Sequence, residues 1–330
     1  MDLNSKTYDV VVLTYEPKDS LIESLSKLMN QIIEPRKVFI CNTCKEKLYK
    51  NISDRDLFGK ILSGKYDKRF ENRIILTHID KSEFDHGKTR NKMVKLSNSD
   101  YVLFLTDDAV PYDEHLSENL LNAFTEYSLP NTRVAVSYAR QLASDSASLK
   151  EKLIREYNYP SHDIIKEKSK EQVLGIKNYF CSNVCAMYDR EIFNNLGGFE
   201  ENIILNEDTF YSYNAIQNGY RIVYKSNAKV IHSHNYTYNE QFSRNFDIGV
   251  SQSEKKEIFD KIPSEKEGFK LISYVLKNML SRFHFIKAID FLTECFYRYL
   301  GFNYGKKFNK LSKDTCIKYA SNKQYFMQKK

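Results

Sequence analysis

The order of apolar and polar positions in the first 130 residues predicts buried strands that alternate with amphipathic helices. The β-branched run Tyr8–Thr14 ends in the turn Tyr15-Glu16-Pro17, and between Ser20 and Ile32 apolar residues recur at helical spacing. Three more apolar runs have the length of buried strands: Lys37–Cys41, Arg73–Ile79 and Tyr101–Leu105. This pattern predicts a parallel α/β sheet. Because such sheets bind ligands at the carboxyl ends of their strands, we expect one crevice lined by the loops after Thr14, Cys41, Ile79 and Leu105.

The pattern changes after Asn131, where strands and helices alternate less regularly. A helix is predicted from Glu207 to Asn218, with Gly219 as its C-cap. Three strands accompany it: Val134–Tyr138, Tyr179–Met187 and Arg221–Tyr224. We interpret this part as the second half of the same domain.

Two amphipathic helices are predicted in the C-terminal part. From Gly268 to Phe283 the apolar residues fall on one helical stripe, and a second such segment runs from Ile286 to Leu300. The tail after Gly301 is rich in lysine. Such a stripe can lie on an anionic membrane surface or pack against the rest of the protein, and the pattern leaves both arrangements open.

Composition narrows the class of protein. With 330 residues, 42% of them hydrophobic and 28% charged, the chain can bury a large core. Met1–Tyr8 lacks the features of a signal peptide, and no apolar stretch approaches the roughly 20 residues of a spanning helix. We therefore expect a cytoplasmic protein that does not cross a membrane. The net charge of +7 favours an anionic partner, such as nucleic acid, acidic lipid or a diphosphate.

Two close pairs of cysteines raise the question of a zinc site. Cys41 and Cys44 form a C-x-x-C, and Cys181 and Cys185 make a second pair. Both pairs lie in apolar, strand-like runs, where cysteine usually acts as a small core residue. We expect reduced thiols that pack in the core.

Adjacent carboxylates follow the apolar run that ends at Leu105. Asp107 and Asp108 stand at the carboxyl end of a predicted strand, which is a fixed platform facing the crevice. Carboxylate oxygens there suit a hard divalent cation such as Mg²⁺ or Mn²⁺, which would neutralise a bound diphosphate. The alternative for an Asp-Asp pair is a solvated turn in which one aspartate caps a helix.

A second acidic pair, Glu207-Asp208, opens the helix in the second half. A carboxylate in that place can take a proton from a hydroxyl whose oxygen attacks a carbon centre. The alternative is that the pair only caps the helix.

Basic residues surround a glycine at a predicted helix start. His86, Lys88 and Arg90 lie around Gly87, an arrangement that can bind phosphate through backbone N–H groups and cationic side chains. An exposed basic turn fits the pattern equally well.

Two histidines occupy alternate positions of an extended segment. His232 and His234 should face the same side of the chain, so both could reach a metal or a phosphate. A pair of core histidines with satisfied hydrogen bonds is the alternative.

Taken together, these segments resemble family 2 glycosyltransferases of GT-A fold, and most closely the bacterial rhamnosyltransferase branch. The resemblance covers roughly residues 8 to 250. Its marks are HGKTRN at 86 to 91, FLTDDAVP at 104 to 111, YARQL at 138 to 142, GIKNYFCSNVCAMY at 175 to 188, GGF at 197 to 199, NED at 206 to 208 and HSHNYT at 232 to 237. Each mark is weak alone, and the seven in this order are specific.

The resemblance implies a domain division and an activity. Residues 1–250 would form the catalytic domain, with a nucleotide-binding half (1–130) and an acceptor-facing half (131–250), and residues 251–330 a helical region. The implied reaction is inverting transfer of L-rhamnose from dTDP-L-rhamnose to a hydroxyl of a polyprenyl-diphosphate-linked polysaccharide intermediate, at the inner face of the cell membrane. A UDP-hexose donor is the first alternative. A nucleic-acid-binding module is a remote one, and we expect no nucleic acid partner because acidic residues occupy the strand ends.

The resemblance also assigns roles to residues. Asp108 matches the second acidic position of the family's D-x-D and would hold the metal together with His234, or with His232 instead. Asp208 would be the base, with Glu207 beside it. The nucleotide sugar would contact Thr14, Tyr15, Glu16, Asn42, Lys88, Arg90, Thr106, Asp107 and Arg244.

This sequence departs from the family's pattern at two places. Thr106 stands where many relatives have the first Asp of the D-x-D, which contacts ribose. Gln241 and Arg244 are similar to the Q-x-x-R of processive relatives, but the Trp that normally follows is missing, since the chain contains none. We therefore do not expect processive transfer.

Overall fold

The computed structural model describes residues 6–17, 19–44, 72–262 and 265–329, and in this part of the chain nine strands form one sheet. The strands are β1 (Tyr8–Thr14), β2 (Val38–Asn42), β3 (Ile74–His78), β4 (Tyr101–Thr106), β5 (Val110–Pro111), β6 (Val134–Leu142), β7 (Ile164–Lys166), β8 (Cys185–Asp189) and β9 (Arg221–Ile231). Their order across the sheet is β3-β2-β1-β4-β8-β6-β9-β5, and β7 pairs with β9.

The first half of the sheet is parallel, as the sequence predicts. β1 pairs in parallel with β2 on one side and β4 on the other, and β3 extends the sheet beyond β2. Thr14 is paired with Asn42, and Leu13 with Thr106, so three strands end at the same edge. Parallel pairing in this register is what brings the loops after β1, β2 and β4 to one crevice.

The second half adds antiparallel pairs to the sheet. β8 lies antiparallel between β4 and β6, whereas β6 and β9 are parallel to each other. The strand expected at Tyr179–Met187 is only partly correct, because β8 begins at Cys185 and a 3-10 turn (Gly175–Asn178) precedes irregular backbone. Tyr179 and Cys181 are buried in that irregular segment, so their apolar character reflects burial and not strand structure.

Helices pack on both faces of the sheet. They are α1 (Ser20–Met29), α2 (His86–Val94), α3 (Leu116–Glu126), α4 (Leu149–Asn158), α5 (Glu171–Leu174), α6 (Arg190–Asn195), α7 (Glu207–Gln217), α8 (Tyr238–Glu254), α9 (Lys256–Phe259), α10 (Glu265–Leu280), α11 (Phe285–Lys306), α12 (Lys313–Tyr319) and α13 (Lys323–Gln328). Alternate residues of β1 enter different cores: Val10 packs with residues of α1 and α3, and Val11 with residues of α2 and α7. The helix predicted to reach Ile32 ends at Met29.

The backbones of α8 and α11 touch where glycines leave no side chain between them. A Cβ atom added to Gly301 would lie 2.1 Å from the carbonyl oxygen of Phe242, and one added to Gly305 would lie 2.1 Å from that of Phe246. One face of α11 therefore packs on the protein, which is one of the two arrangements that the sequence left open. The boundary placed at residue 250 falls within α8. Among the described residues, no helix is long and apolar enough to cross a membrane.

Candidate active site

A cavity of about 490 Å³ opens at the carboxyl edge of the parallel strands. It is bordered by the ends of β1, β2 and β4, by α2 and α8, by the loop before α7, and by residues near the carboxyl end of the chain. Six residues that the sequence assigned to nucleotide-sugar binding line it: Thr14, Tyr15, Arg90, Thr106, Asp107 and Arg244. The strand-end crevice expected from the sequence is thus present.

Asp108 lies against both histidines of the HSHNYT segment. Its carboxylate oxygens are 3.3 Å from Nε2 of His232 and 3.2 Å from Nε2 of His234, and the two nitrogens are 2.9 Å apart. β9 extends to Ile231, which carries the histidines to the end of β4. Burial alone would raise the pKa of Asp108, but the hydrogen bond and charge of His232 and the charge of His234 hold it below its usual range. Burial, with His232 nearby, lowers the pKa of His234 to about 4.

A second layer of contacts fixes the orientation of His232. Its Nδ1 is 3.0 Å from Oε1 of Gln141, an oxygen that also accepts a hydrogen bond from Arg155. The Gln141 amide nitrogen donates to Ser182 Oγ at 2.9 Å, which identifies Oε1 as the acceptor. Nδ1 of His232 therefore donates to Gln141, and this contact fixes the ring with its Nε2 facing Asp108.

These three side chains fit a divalent metal ion. Their ligand atoms all lie within 4.8 Å of one another, and in the described part of the chain they form the one cluster of three or more His, Cys, Asp or Glu residues with that geometry. Metal–ligand bonds of about 2.1 Å give ligand–ligand separations of roughly 3.0 to 3.4 Å, close to those found here. The cysteines do not join such a cluster: Cys41, Cys181 and Cys185 are buried and Cys44 is exposed, all as free thiols.

Asp107 points to the other side of the same strand end. Its Oδ2 accepts a hydrogen bond of 2.6 Å from the hydroxyl of Thr14, which ties the end of β4 to the end of β1. Burial raises the pKa of Asp107, and the neighbouring Asp108 adds to the shift. The two aspartates therefore differ in environment, and Asp107 belongs to the wall of the cavity.

Glu207 is held in a buried ion pair at the start of α7. Its Oε1 is 3.0 Å from Nη1 of Arg90 and accepts a hydrogen bond of 3.0 Å from Asn183. Burial opposes ionisation, but the charge of Arg90, followed by that of His86, holds the pKa of Glu207 below its usual range. The side chain of Glu207 is therefore committed to protein contacts.

Asp208, the next residue, is half-buried and oriented by backbone groups. Its Oδ2 accepts from the N–H of Asn183 at 3.1 Å and its Oδ1 from the N–H of Thr209 at 2.7 Å. Burial raises the pKa of Asp208 above the ordinary carboxyl range, and the negative charge of Glu207 raises it further. Asn206, which precedes the pair, has φ = 72° and so turns the chain into α7 through a left-handed conformation. The two carboxylates thus face different surroundings.

Protein groups surround the start of α2, where the sequence suggested a phosphate site. Asp85 caps the helix by accepting from the N–H of Lys88 at 2.7 Å, so a carboxylate already occupies the helix start. A Cβ atom on Gly87 would lie 2.0 Å from the carbonyl oxygen of Glu200, which shows that this glycine serves close packing. Lys88 is exposed and lies outside the residues that line the cavity. His86 and Arg90 of this segment line the cavity.

The Q-x-x-R pair divides between two environments. Arg244 lines the cavity and its guanidinium lies 4.6 Å from the ring centre of Tyr236, which stacks on His234 at 4.8 Å. Gln241, three residues before it on α8, is buried and donates to Glu294 of α11 at 3.1 Å. Gln241 is therefore a packing residue.

Two residues assigned to the nucleotide lie beside the cavity and not on its lining. Asn42 is fully buried, and its amide donates to the carbonyl of Cys44 at 3.3 Å, whereas the following residue, Thr43, lines the cavity. Glu16 is exposed next to Tyr15, with φ = 48°.

The sequence did not identify four residues that orient site side chains or line the cavity. Gln141 and Asn183 lie within quoted motifs, YARQL and GIKNYFCSNVCAMY, and the motifs were the signal that could have pointed to them. Asp247 and Gln324 also line the cavity, but they lie on a polar helix and in a lysine-rich tail. No pattern in the sequence singled out these two.

Comparison with known proteins gives a consistent result. Residues 9–197 match the family model described as glycosyl transferase family 2. The O-antigen chain rhamnosyltransferase WbaN of Salmonella anatum is 37% identical over 259 residues, covering 78% of this chain and 80% of WbaN. RfbN of Salmonella typhimurium, also described as an O-antigen chain rhamnosyltransferase, is 36% identical over 255 residues, covering 77% of this chain and 79% of RfbN.

The fold is also found among solved structures. A mannosyltransferase from Pyrobaculum calidifontis, PcManGT, determined with GDP-Man and Mn²⁺, superposes with a TM-score of 0.55 at 14% identity, over 92% of this chain and 88% of that one. This likeness confirms the expected GT-A fold.

The Asp108 cluster predicts a measurable metal affinity. Asp108→Asn should weaken Mn²⁺ binding by about tenfold or more, because a neutral amide is a poorer ligand for a hard cation than a carboxylate. Titration calorimetry on the full chain measures this, with the exposed Asp145→Asn as a matched control. Equal Mn²⁺ affinity in the two variants would contradict the assignment.

Proposed function

The chain belongs to glycosyl transferase family 2, and on that basis we propose that it transfers L-rhamnose from dTDP-L-rhamnose, with inversion, to a hydroxyl of a lipid-linked polysaccharide intermediate. The observation that carries the proposal is that Asp208 stands in a segment whose neighbouring residues line two cavities. Leu205, three residues before it, lines the cavity described above, and its neighbours Asn206 and Thr209 line a second one. A carboxylate between a donor cavity and an acceptor cavity can take the proton of the attacking hydroxyl.

The donor cavity supplies groups for a nucleoside diphosphate. Arg90 and Arg244 place two guanidinium groups on its lining, and such groups bind phosphate oxygens through charge-assisted hydrogen bonds. A divalent ion bound to Asp108, His232 and His234 would neutralise charge on the diphosphate as the sugar leaves. The names of WbaN and RfbN favour rhamnose as the transferred sugar. A UDP-hexose is the second candidate donor.

Asp208 is the group best placed to act as base. Its two backbone hydrogen bonds fix the orientation of the carboxylate, and its raised pKa makes it a better proton acceptor than an exposed aspartate. Glu207, by contrast, is ionised against Arg90 and buried. We assign to Glu207 the positioning of Arg90 and of α7.

The second cavity, of about 340 Å³, has the chemistry of a saccharide site. Aromatic side chains of Tyr138, Tyr157 and Phe180 line it, and their faces can stack on the apolar face of a sugar ring. Lys166 is buried on its wall and donates to the hydroxyl of Tyr138 at 2.7 Å. We propose that the terminal sugar of the acceptor binds here.

The turn between α10 and α11 suits contact with an anionic lipid surface. Phe283 and Ile286 are 80% and 85% exposed, Phe285 lies between them, and Phe283 holds a left-handed conformation with φ = 58°. Exposed cationic residues flank this apolar tip on both sides: Arg282 and Lys287. Apolar side chains ringed by cations bind the interface of an anionic membrane. We propose that this tip contacts the membrane in which the acceptor is anchored.

A screen of nucleotide sugars tests the reaction. With Mg²⁺ or Mn²⁺ present, dTDP-L-rhamnose should raise the melting temperature and undergo slow hydrolysis, since a ligand that binds only the native state stabilises it. UDP-glucose and UDP-galactose serve as controls. Stabilisation and turnover by a UDP-hexose alone would replace the donor with the second candidate.

Substitution of the two carboxylates tests the base. Asp208→Asn should lower transfer by about 10² to 10⁴ while dTDP-L-rhamnose still binds, because the donor contacts lie on other segments. Glu207→Gln should cost less rate. Measuring donor affinity and turnover for both variants separates the roles, and a greater loss of turnover in Glu207→Gln than in Asp208→Asn would reverse them.

The pH dependence of turnover is a second test of Asp208 as the base. Because Asp208 must be ionised to accept a proton and its pKa is raised, turnover should fall as the pH drops through a value above the ordinary carboxyl range. Glu207→Gln removes the negative charge that contributes to the shift, so its acid limb should move to lower pH.

Vesicle sedimentation tests the membrane contact. Phe283→Ser together with Ile286→Ser should reduce binding to vesicles that contain phosphatidylglycerol, and salt should weaken the binding of the unaltered protein. Leu129→Ser, at a residue 51% exposed in the turn after α3, is the control. If the double variant sediments with vesicles as the unaltered protein does, the tip does not carry the contact.

A further inference from the structure

The last two helices return to the donor cavity. Phe308, Cys316, Ala320 and Phe326 from the end of the chain are buried with Phe246 of α8 and its neighbours in one core cluster. The segment between α12 and α13 is therefore fixed by burial on both sides. The tail is therefore packed against the rest of the protein although its composition is rich in lysine.

Polar contacts hold the same segment against α8. The carboxylate of Asp247 is buried and accepts from the N–H of Asn322 at 2.8 Å. The side-chain oxygen of Asn322 caps α13 by accepting from the N–H of Tyr325 at 3.3 Å, and its amide nitrogen lies 3.5 Å from the carbonyl of Ile204. Tyr325 donates to Glu254 at 2.6 Å. The side chain of Asn322 is thus committed to the fold.

The segment separates two cavities of opposite character. On one side it borders the donor cavity, where the lining cations Lys81, Arg90 and Arg244 outnumber the carboxylates. On the other side lies a cavity of about 450 Å³ whose lining is acidic on balance, since it carries two lysines, Lys255 and Lys329, and the carboxylates of four residues: Asp85, Glu200, Glu201 and Glu254. A nucleoside diphosphate is attracted to the first cavity and repelled from the second.

One side chain of the segment is available to a ligand in the donor cavity. Gln324 is half-buried on the cavity lining, and its amide has no hydrogen-bond partner among the residues that the structure describes. Such an amide can donate to a phosphate or accept from a ribose hydroxyl or a base.

We propose that residues 321–324 form one wall of the nucleotide-sugar site and that the side-chain amide of Gln324 binds the donor nucleotide. This inference rests on the proposed function, because it takes the cavity to be the donor site. It extends the site to a part of the chain that no sequence pattern connected with nucleotide binding.

A pair of glutamines on the same helix gives the test. Gln324→Met keeps the length of the side chain and removes its hydrogen bonds, so we expect the Kd for dTDP and for UDP, measured by calorimetry with Mg²⁺, to rise about tenfold. Gln328→Met is the matched control, since Gln328 lines the acidic cavity and donates to the carbonyl of Ser82. Its Kd should stay within about twofold of the unaltered protein, well below the effect of losing one hydrogen bond to a ligand.

Gln324→Ala is measured beside Gln324→Met as a second variant. The thermal unfolding of each variant shows whether a weaker affinity comes from a lost contact or from a lost fold. In turnover assays the loss should appear in the KM for the donor, with kcat retained. Nucleotide affinity of Gln324→Met equal to that of the unaltered protein would overturn the inference and leave the proposed function standing. Failure of the unaltered protein to bind either nucleotide would overturn both.

Discussion

The buried ion pair between Arg90 and Glu207 is the interaction on which the arrangement of the site depends. It joins α2, which follows the parallel half of the sheet, to the start of α7, and both side chains are almost fully buried. Removing one partner of such a pair leaves an uncompensated charge and typically costs about 3 to 5 kcal/mol. Because Arg90 keeps Glu207 ionised, it also maintains the negative charge that raises the pKa of Asp208. One guanidinium thus links the donor cavity to the residue proposed as base.

The parts of the fold that could be predicted are those in which burial follows a regular period. The strands from β1 to β4 are short apolar runs, of which β1, β2 and β4 are buried on both faces and β3 is half-buried, and their ends were predicted to within one residue. The segment before β8 was misread because Tyr179 and Cys181 are apolar and buried without forming a strand. α8 went unrecognised because it buries polar residues, among them Asp247 and Gln252, and so lacks an apolar stripe.

The candidate site shows the same division. Carboxylates at the end of β4 and at the start of α7 could be found from the sequence, since their positions follow from the strand and helix that carry them. The contact of Asp108 with two histidines more than a hundred residues away depends on the length of β9, which was underestimated. The orientation of His232 by Gln141 and the wall formed by the carboxyl-terminal segment depend on packing between distant parts of the chain. No local pattern encodes such contacts.

The glycine contacts between α8 and α11 leave these two helices no freedom to slide or rotate, because backbone atoms already touch at Gly301 and Gly305. α8 carries Arg244 of the donor cavity, and the tip with Phe283 directly precedes α11. If that tip rests on lipid, the fixed packing of α8 on α11 determines the height of the reaction centre above the bilayer. Acceptors would then be selected by the distance of their terminal sugar from the membrane as well as by its chemistry, and a single methyl group at either glycine would change that distance.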